Sequence, residues 1–303
     1  MYKRQDIKLA LKEGFRSIEH VKRYTTTGMA TDQGKLSNMH ALGIIADTAG
    51  VKMGTLGTTT FRPPFTPLTF GTIVGRNVGK FFEVVRKTSI HDWHVDNNAK
   101  FENVGQWKRP WYYPKNGETM HDAVQRESKA ARDSAGILDA STLGKIDIQG
   151  TDASEFLNRV YTNAWSKLSI GKCRYGLMLN EDGMVYDDGV TTRLDENHYI
   201  MTTTTGGAAT VLGKLEDYLQ TEWPELDVYL TSVTDHYATV SVCGPNSKKI
   251  ISQVIPDLDF SDENFPHMTF KNAIIGKIKC RVMRISFTGE HLSLIHISEP
   301  TRL

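Results

Sequence analysis

Two adjacent carboxylates, Asp187 and Asp188, lie in the run Met184-Val-Tyr-Asp-Asp-Gly-Val-Thr-Thr192. The run reads as a strand, on which neighbouring side chains face opposite sides, so only one of the two can enter a given cavity. Aspartate disfavours strands. A carboxylate fixed there could accept a hydrogen bond from a ligand or relay a proton. A plainer reading stays open on residue types alone: one carboxylate caps a turn and the other is solvated.

Downstream, Thr202-Thr-Thr-Thr-Gly-Gly207 joins a strand to a helix. Its hydroxyls and backbone amides could hold a polar ligand at a helix N-terminus. No Gly-Lys-Ser/Thr ending follows, so it is not a phosphate-binding loop. His20, His40, His91, His94 and His121 are scattered, and His91-Asp-Trp-His94 has no further ligand set. These histidines read as packed or solvated. Arg62 and Arg76 could meet an anionic cofactor group, or pair with carboxylates, or stay solvated.

The elements that must position these residues belong to an ordinary globular chain. Its 303 residues can bury at least one substantial core, and two domains are unsurprising. The formal net charge of +1 argues for neither nucleic acid nor a membrane surface. No apolar run is long enough to span a bilayer. Cys173, Cys243 and Cys280 are far apart and form no metal or redox spacing, so a reduced, cytoplasmic setting is the simplest reading.

The periodicity predicts helices over residues 6–14, 18–24 and 38–50, the first capped by Asp6. Residues 58–67 carry Pro63, Pro64 and Pro67, which exclude a regular helix, and read as an extended linker. Short elements are expected at 80–86 and 97–102. An α+β pattern follows. It has a helix at 120–135, strands at 136–140 and 144–149, and a helix at 152–160 capped by Asp152. A hairpin at 175–193 turns on Asn180-Glu-Asp-Gly183, and a strand at 198–202 leads into a helix at 208–219. That order suggests a ferredoxin-like unit. A second unit opens with a strand at 237–242 and a helix at 247–254, and a strong strand pattern covers 279–287.

The segments resemble, in order, the C-terminal half of the alpha subunit of heterotetrameric sarcosine oxidases. The matching strings are Glu13-Gly-Phe-Arg-Ser-Ile-Glu-His-Val-Lys-Arg-Tyr-Thr-Thr26, Gly28-Met-Ala-Thr-Asp-Gln-Gly-Lys35 and Thr58-Thr-Thr-Phe-Arg-Pro-Pro-Phe-Thr-Pro67. Others are Gly105-Gln-Trp-Lys-Arg-Pro-Trp-Tyr-Tyr-Pro114, Gly136-Ile-Leu-Asp-Ala-Ser-Thr-Leu-Gly-Lys-Ile-Asp-Ile-Gln-Gly150 and Gly183-Met-Val-Tyr-Asp-Asp-Gly189. Residues 107–290 are also similar, more distantly, to the glycine-cleavage aminomethyltransferase and to the folate domain of dimethylglycine dehydrogenases.

The resemblance implies an α+β chain in which a helical segment, residues 6–57, precedes a linker region, residues 58–106. An aminomethyltransferase-like folate-binding domain of ferredoxin-like units, residues 107–290, completes it and is expected to be truncated at the C-terminus. Gly28-Met-Ala-Thr-Asp-Gln-Gly34 resembles a loop that elsewhere carries a cysteine-ligated iron–sulfur cluster. Asp32 stands at the cysteine position and residues 1–100 hold no cysteine, so a cluster is excluded and a structural or docking role is left. Residues 1–5 and 292–303 read as translated sequencing adapter, foreign to the domain, so the chain is expected to be part of a longer protein.

For the site, the resemblance implies tetrahydrofolate bound against Leu143, Asp187, Asp188, Thr202, Thr204 and Phe287, with Asp188 the catalytic carboxylate. Leu294 stands where the family carries a pterin-holding glutamate, so that ligand set is incomplete here. The implied reaction oxidises N-methylglycine on a flavin and passes the one-carbon unit to tetrahydrofolate, forming 5,10-methylenetetrahydrofolate, glycine and hydrogen peroxide. No Gly-x-Gly-x-x-Gly follows a strand, so FAD, FMN and NAD are expected on other parts of the complex, whose beta, gamma and delta subunits would be partners. Two alternatives remain. One is a stand-alone aminomethyltransferase or a dimethylglycine dehydrogenase-like enzyme; the other is a folate-binding scaffold without chemistry.

Overall fold

In the computed structural model, residues 4–30, 32–63, 69–76 and 84–298 are described. They fall into two units, Met1–Glu83 with Glu216–Glu225, and Val84–Leu215 with Leu226–Leu303.

The first unit is helical: α1 (Arg4–Lys12), α2 (Ile18–Tyr24), α3 (Ser37–Ala49) and the short α4 (Phe70–Val74). Apolar residues at helical spacing, Ile7 and Ala10, Ile18 and Val21, and Ala41, Leu42 and Ile45, meet in one core. Helix α3 stops at Gly50, whose φ of +66° gives the left-handed turn that lets its amide reach Ala46 and Asp47. Within the run 58–67, Thr60 is fixed to α2. Its amide donates to Glu19 at 2.7 Å, and the buried Lys22 ammonium donates to its carbonyl at 2.7 Å. Residues 64–67 lie outside the described residues. Arg62 meets neither a carboxylate nor solvent as its main partner. Its guanidinium donates to the carbonyls of Thr27 and Lys22, at 3.0 and 2.7 Å, tying the last turn of α2 to the loop that follows it. Arg76 is exposed.

The second unit opens with β1 (Arg86–Lys87), α5 (His91–Asp96), β2 (Lys100–Val104) and β3 (Trp107–Tyr112). The three strands form a small sheet in the order β1-β3-β2, so part of the stretch read as linker is ordered sheet. Residues 80–83 of the short element expected at 80–86 lie outside the described residues. Helix α6 (Met120–Asp133) starts at a capping box: the Thr119 hydroxyl accepts the Asp122 amide, and the Asp122 carboxylate accepts the Thr119 amide.

A five-stranded antiparallel sheet follows from β5 (Gly144–Gln149), α7 (Ala153–Val160), β6 (Cys173–Leu179), β7 (Val185–Asp195), β8 (His198–Thr203), α8 (Ala208–Asp217) and β9 (Tyr229–Ser232). Its order is β6-β7-β8-β5-β9. Without β6, the order β7-β8-β5-β9 with helices after β5 and β8 is the split arrangement of a ferredoxin-like unit. Ile146 and Ile148 share a face with Met201 and Tyr199, their register partners on β8, and all four are buried. Asp152 does not cap α7 with its side chain. Its carboxylate accepts the Asp227 amide at 2.9 Å, which ties the approach to β9 instead.

The other large sheet orders β11-β12-β13-β10-β4, from β4 (Gly136–Asp139), β10 (Tyr237–Cys243), β11 (Thr269–Ile275), β12 (Ile278–Arg284) and β13 (Leu292–Ser298); α9 (Ser247–Val254) follows β10. The tail segment read as foreign therefore occupies an interior strand. Leu292, Leu294, Ile295 and His296 of β13 are buried.

Candidate functional site

The hairpin that carries the aspartate pair closes on Asn180, whose amide donates to Met184 at 2.8 Å and whose carbonyl accepts the Gly183 amide at 2.9 Å. Gly183, with φ of +81°, supplies the left-handed residue that this turn requires. The turn sets the register, pairing Met178 with Asp187 and Leu177 with Asp188.

The two carboxylates then separate. Asp187 is buried. It accepts the Thr204 hydroxyl at 2.7 Å and, at longer range, the Thr204 amide. Burial pushes its carboxyl above the usual carboxylate range, and the Thr204 bonds only partly offset this. Gly207 leaves room for the arrangement, since a Cβ there would stand 2.9 Å from the Asp187 oxygen. Asp187 thus anchors the loop that leads into α8. Asp188 is half-buried and takes the Tyr175 hydroxyl at 3.0 Å. It shares its face of β7 with Val190, and register places Val190 opposite Tyr175.

Thr202 spends its hydroxyl on β7, accepting the Val190 amide at 2.9 Å and donating to the Val190 carbonyl at 3.2 Å. Leu143 packs with Val190 against the buried cluster containing Ile200, Cys243, Met283 and Leu294. Leu294, at the position where a glutamate was expected, contributes an apolar wall there. Phe287 is 54% exposed between β12 and β13, outside that cluster. The structure therefore draws together Asp187 with Thr204, and Thr202 and Leu143 with Val190 of the Asp188 face. It leaves Phe287 apart.

Sequence reasoning missed three features. Lys145, the register partner of Thr202, is fully buried and donates to the carbonyls of Ser141 and Leu143, each at 3.0 Å. It clamps the turn bearing Leu143, and its only sequence signal is a lysine within an apolar alternation. The second feature is a buried relay. His94 Nε2 lies 2.9 Å from Asp139 and Nδ1 lies 2.6 Å from the Tyr113 hydroxyl. Asp139 also accepts the Ser141 amide at 3.0 Å. Burial works against its charge, but hydrogen bonds from Ser141, Thr88 and His94 hold its carboxyl below the usual range. The partners are too far apart in sequence for spacing to announce them. Third, the hydroxyls of Thr239 and Ser241 are buried without partners among the described residues.

A cleft of about 850 Å³ opens beside the relay, lined by Trp93, His94, Tyr113, Ile137, Asp139 and Ser241 among others; Asp188 does not line it. Among the described residues no group of three or more His, Cys, Asp or Glu side chains could hold a metal ion. No helix among them is long and apolar enough to cross a membrane.

For tetrahydrofolate, the residues present supply a half-buried acceptor in Asp188 and, on the same face of β7, an apolar neighbour in Val190. A carboxylate acceptor suits the N–H-rich edge of a reduced pterin.

Comparison with known proteins places these features in a family. Residues 90–298 match the GCVT N-terminal domain, and residues 2–76 match the sarcosine oxidase A3 domain. The chain is 54% identical over 94% of its length to the sarcosine oxidase subunit alpha of Corynebacterium sp. (strain U-96), and 50% identical over 94% to that of Rhizobium meliloti (strain 1021). It spans 30% and 29% of those two proteins. The crystal structure of the glycine cleavage system aminomethyltransferase T from Bartonella henselae superposes with a TM-score of 0.60 at 23% identity, covering 71% of this chain and 54% of that one; the likeness is one of fold. Over most of its length, this chain belongs to the GCVT N-terminal domain family.

Proposed function

We propose that this chain carries the reduced-folate site of a sarcosine oxidase alpha subunit, with Asp188 as its working carboxylate. The carrying observation is the division of roles on β7. Asp187 is committed to holding the Thr204 loop, while Asp188 has one oxygen on Tyr175 and the other with no partner among the described bonds. A carboxylate placed this way can accept an N–H of a bound amine and take its proton. Tyr175 fixes the carboxylate's orientation, and Val190 lies beside it on the same face of β7. When bound, tetrahydrofolate supplies nitrogen nucleophiles that accept a one-carbon unit.

In the parent enzyme, this unit would come from the oxidative demethylation of sarcosine, with hydrogen peroxide formed by flavin reoxidation. FAD, FMN and NAD would sit on other parts of the complex, formed with beta, gamma and delta subunits in the cytoplasm. The identity to sarcosine oxidase alpha subunits over both units supports this reading above a stand-alone aminomethyltransferase. The test is Asp188→Ala in the assembled enzyme. Sarcosine oxidation should continue while the yield of 5,10-methylenetetrahydrofolate falls and formaldehyde rises. Equal folate yield in mutant and wild type would sink the assignment.

A further inference from the structure

We propose that the sheet face carrying Asn272, Lys279, Arg281 and His296 binds a small dianion, by a phosphate or by paired carboxylates. The site is independent of the folate reading, since neither Asp188 nor Leu143 lines it.

Strand pairing assembles it. Arg281 of β12 stands in register with Asn272 of β11 on one side and with His296 of β13 on the other. Cross-strand partners share a face, so these side chains form a row stepped by about 4.8 Å from strand to strand. Lys279 lies two residues from Arg281 and shares its face. Tyr237 of β10 closes the far side, two residues from the register partner of His296, and its hydroxyl accepts from Arg281 at 3.1 Å. Together these residues line a cavity of about 500 Å³, and no aspartate or glutamate is among its lining residues.

The lining is one-sided in charge. Ammonium and guanidinium groups only donate, and among the described residues no ion pair joins Lys279 or Arg281 to a carboxylate. His296 is the second observation. It is wholly buried, yet both of its ring nitrogens lack a partner among the described residues. Burial, with the cations of Lys145 and Arg281 nearby, pushes its imidazole down to about 3, so the ring is neutral and keeps one N–H to donate. A buried polar group left unpaired opposes folding. An oxyanion in the cavity would accept from the imidazole, the guanidinium, the ammonium and the Asn272 amide. Its charge would also offset the repulsion between Lys279 and Arg281. A neutral or cationic ligand does neither, and two cations on one face match two negative charges.

The experiment titrates the whole chain with inorganic phosphate and, separately, with glutarate, reading Tm and calorimetric heat against sodium chloride at equal ionic strength. At least one probe should bind beyond the chloride control, and the tighter one names the source of the dianion. Arg281→Gln should weaken that probe about tenfold or more, the loss expected of one hydrogen bond to a charged group. Lys279→Glu, at an exposed position, should abolish binding while leaving the unliganded Tm unchanged. His296→Leu should also weaken it. If Arg281→Gln does not fold, Lys279→Glu decides. Failure of both probes to exceed chloride on the wild-type chain would overturn the proposal. Wild-type affinity in Lys279→Glu or in His296→Leu would overturn it equally.

Discussion

The Asp187 carboxylate accepts the Thr204 hydroxyl at 2.7 Å, which binds β7 to the loop after β8 across 17 residues of sequence. Its charge is disfavoured there. Because its native pKa is raised, it contributes stability that is fully present below its unfolded value of about 3.9 and is lost as pH rises through the native value. Asp187→Asn keeps an acceptor oxygen but cannot ionise. Urea midpoints measured from pH 4 to pH 7 should fall less steeply in the variant than in wild type.

His94 joins Tyr113 to a buried Asp139. His94→Ala removes one of the hydrogen-bond partners of that buried carboxylate and is expected to destabilise by about 1–3 kcal/mol. Tyr113→Phe removes one hydrogen bond and should cost about 0.5–1.5 kcal/mol. Asp139, with its pKa lowered, contributes stability present above its unfolded value and lost as pH falls through the native one. A double-mutant cycle by chemical denaturation, His94→Ala with Asp139→Asn, should return clear coupling, and additive effects would count against the relay.

Gly189 lies close against β8: a Cβ there would stand 1.9 Å from the Thr202 carbonyl oxygen. Gly189→Ala must push the strands apart, at a cost of about 1–3 kcal/mol. Amide exchange should rise at Val190 and Thr202 in particular. Unchanged protection there would refute the account.

Asp32 occupies the place where a cluster-binding loop would offer a thiolate. Instead its carboxylate accepts the Ser37 amide at 2.6 Å and the Leu36 amide at 3.0 Å, at the start of α3. Burial opposes its charge, but these bonds hold its carboxyl below the usual range. Its contribution is present above the unfolded pKa and lost as pH falls through the native one. Asp32→Ala should cost the helical unit about 0.5–2 kcal/mol, read as an earlier loss of helical signal on heating.

Much of this organisation was legible in the sequence because its local signals were strong. The Asn180–Gly183 turn marked the β6–β7 hairpin, and Thr119 with Asp122 starts α6 where the helical pattern begins. Strand β9 was not legible: Tyr229-Leu-Thr-Ser232 is mostly exposed and lacks the alternation of a half-buried strand. Strand β2 overlaps the short element expected at 97–102, but its pairing with β3 in a sheet was not legible. At the site, the aspartate pair could be read as an oddity. Which carboxylate anchors and which is available depends on strand facing and on Thr204, and residue types alone do not settle it. Lys145, Thr239 and Ser241 escaped because their significance lies in burial against a second sheet distant in sequence.

The position of β13 also bears on the order in which the chain can assemble. The last strand described lies between β10 and β12, both made before it on a ribosome. Until residues 292–298 emerge, β10 and β12 have an empty slot between them and no direct ladder. The β10–β4 and β11–β12 pairs can form early, but their union into one sheet must wait for the final strand. During synthesis, two apolar strand edges therefore stand open at once, the condition under which nascent β structure most needs protection from neighbouring chains.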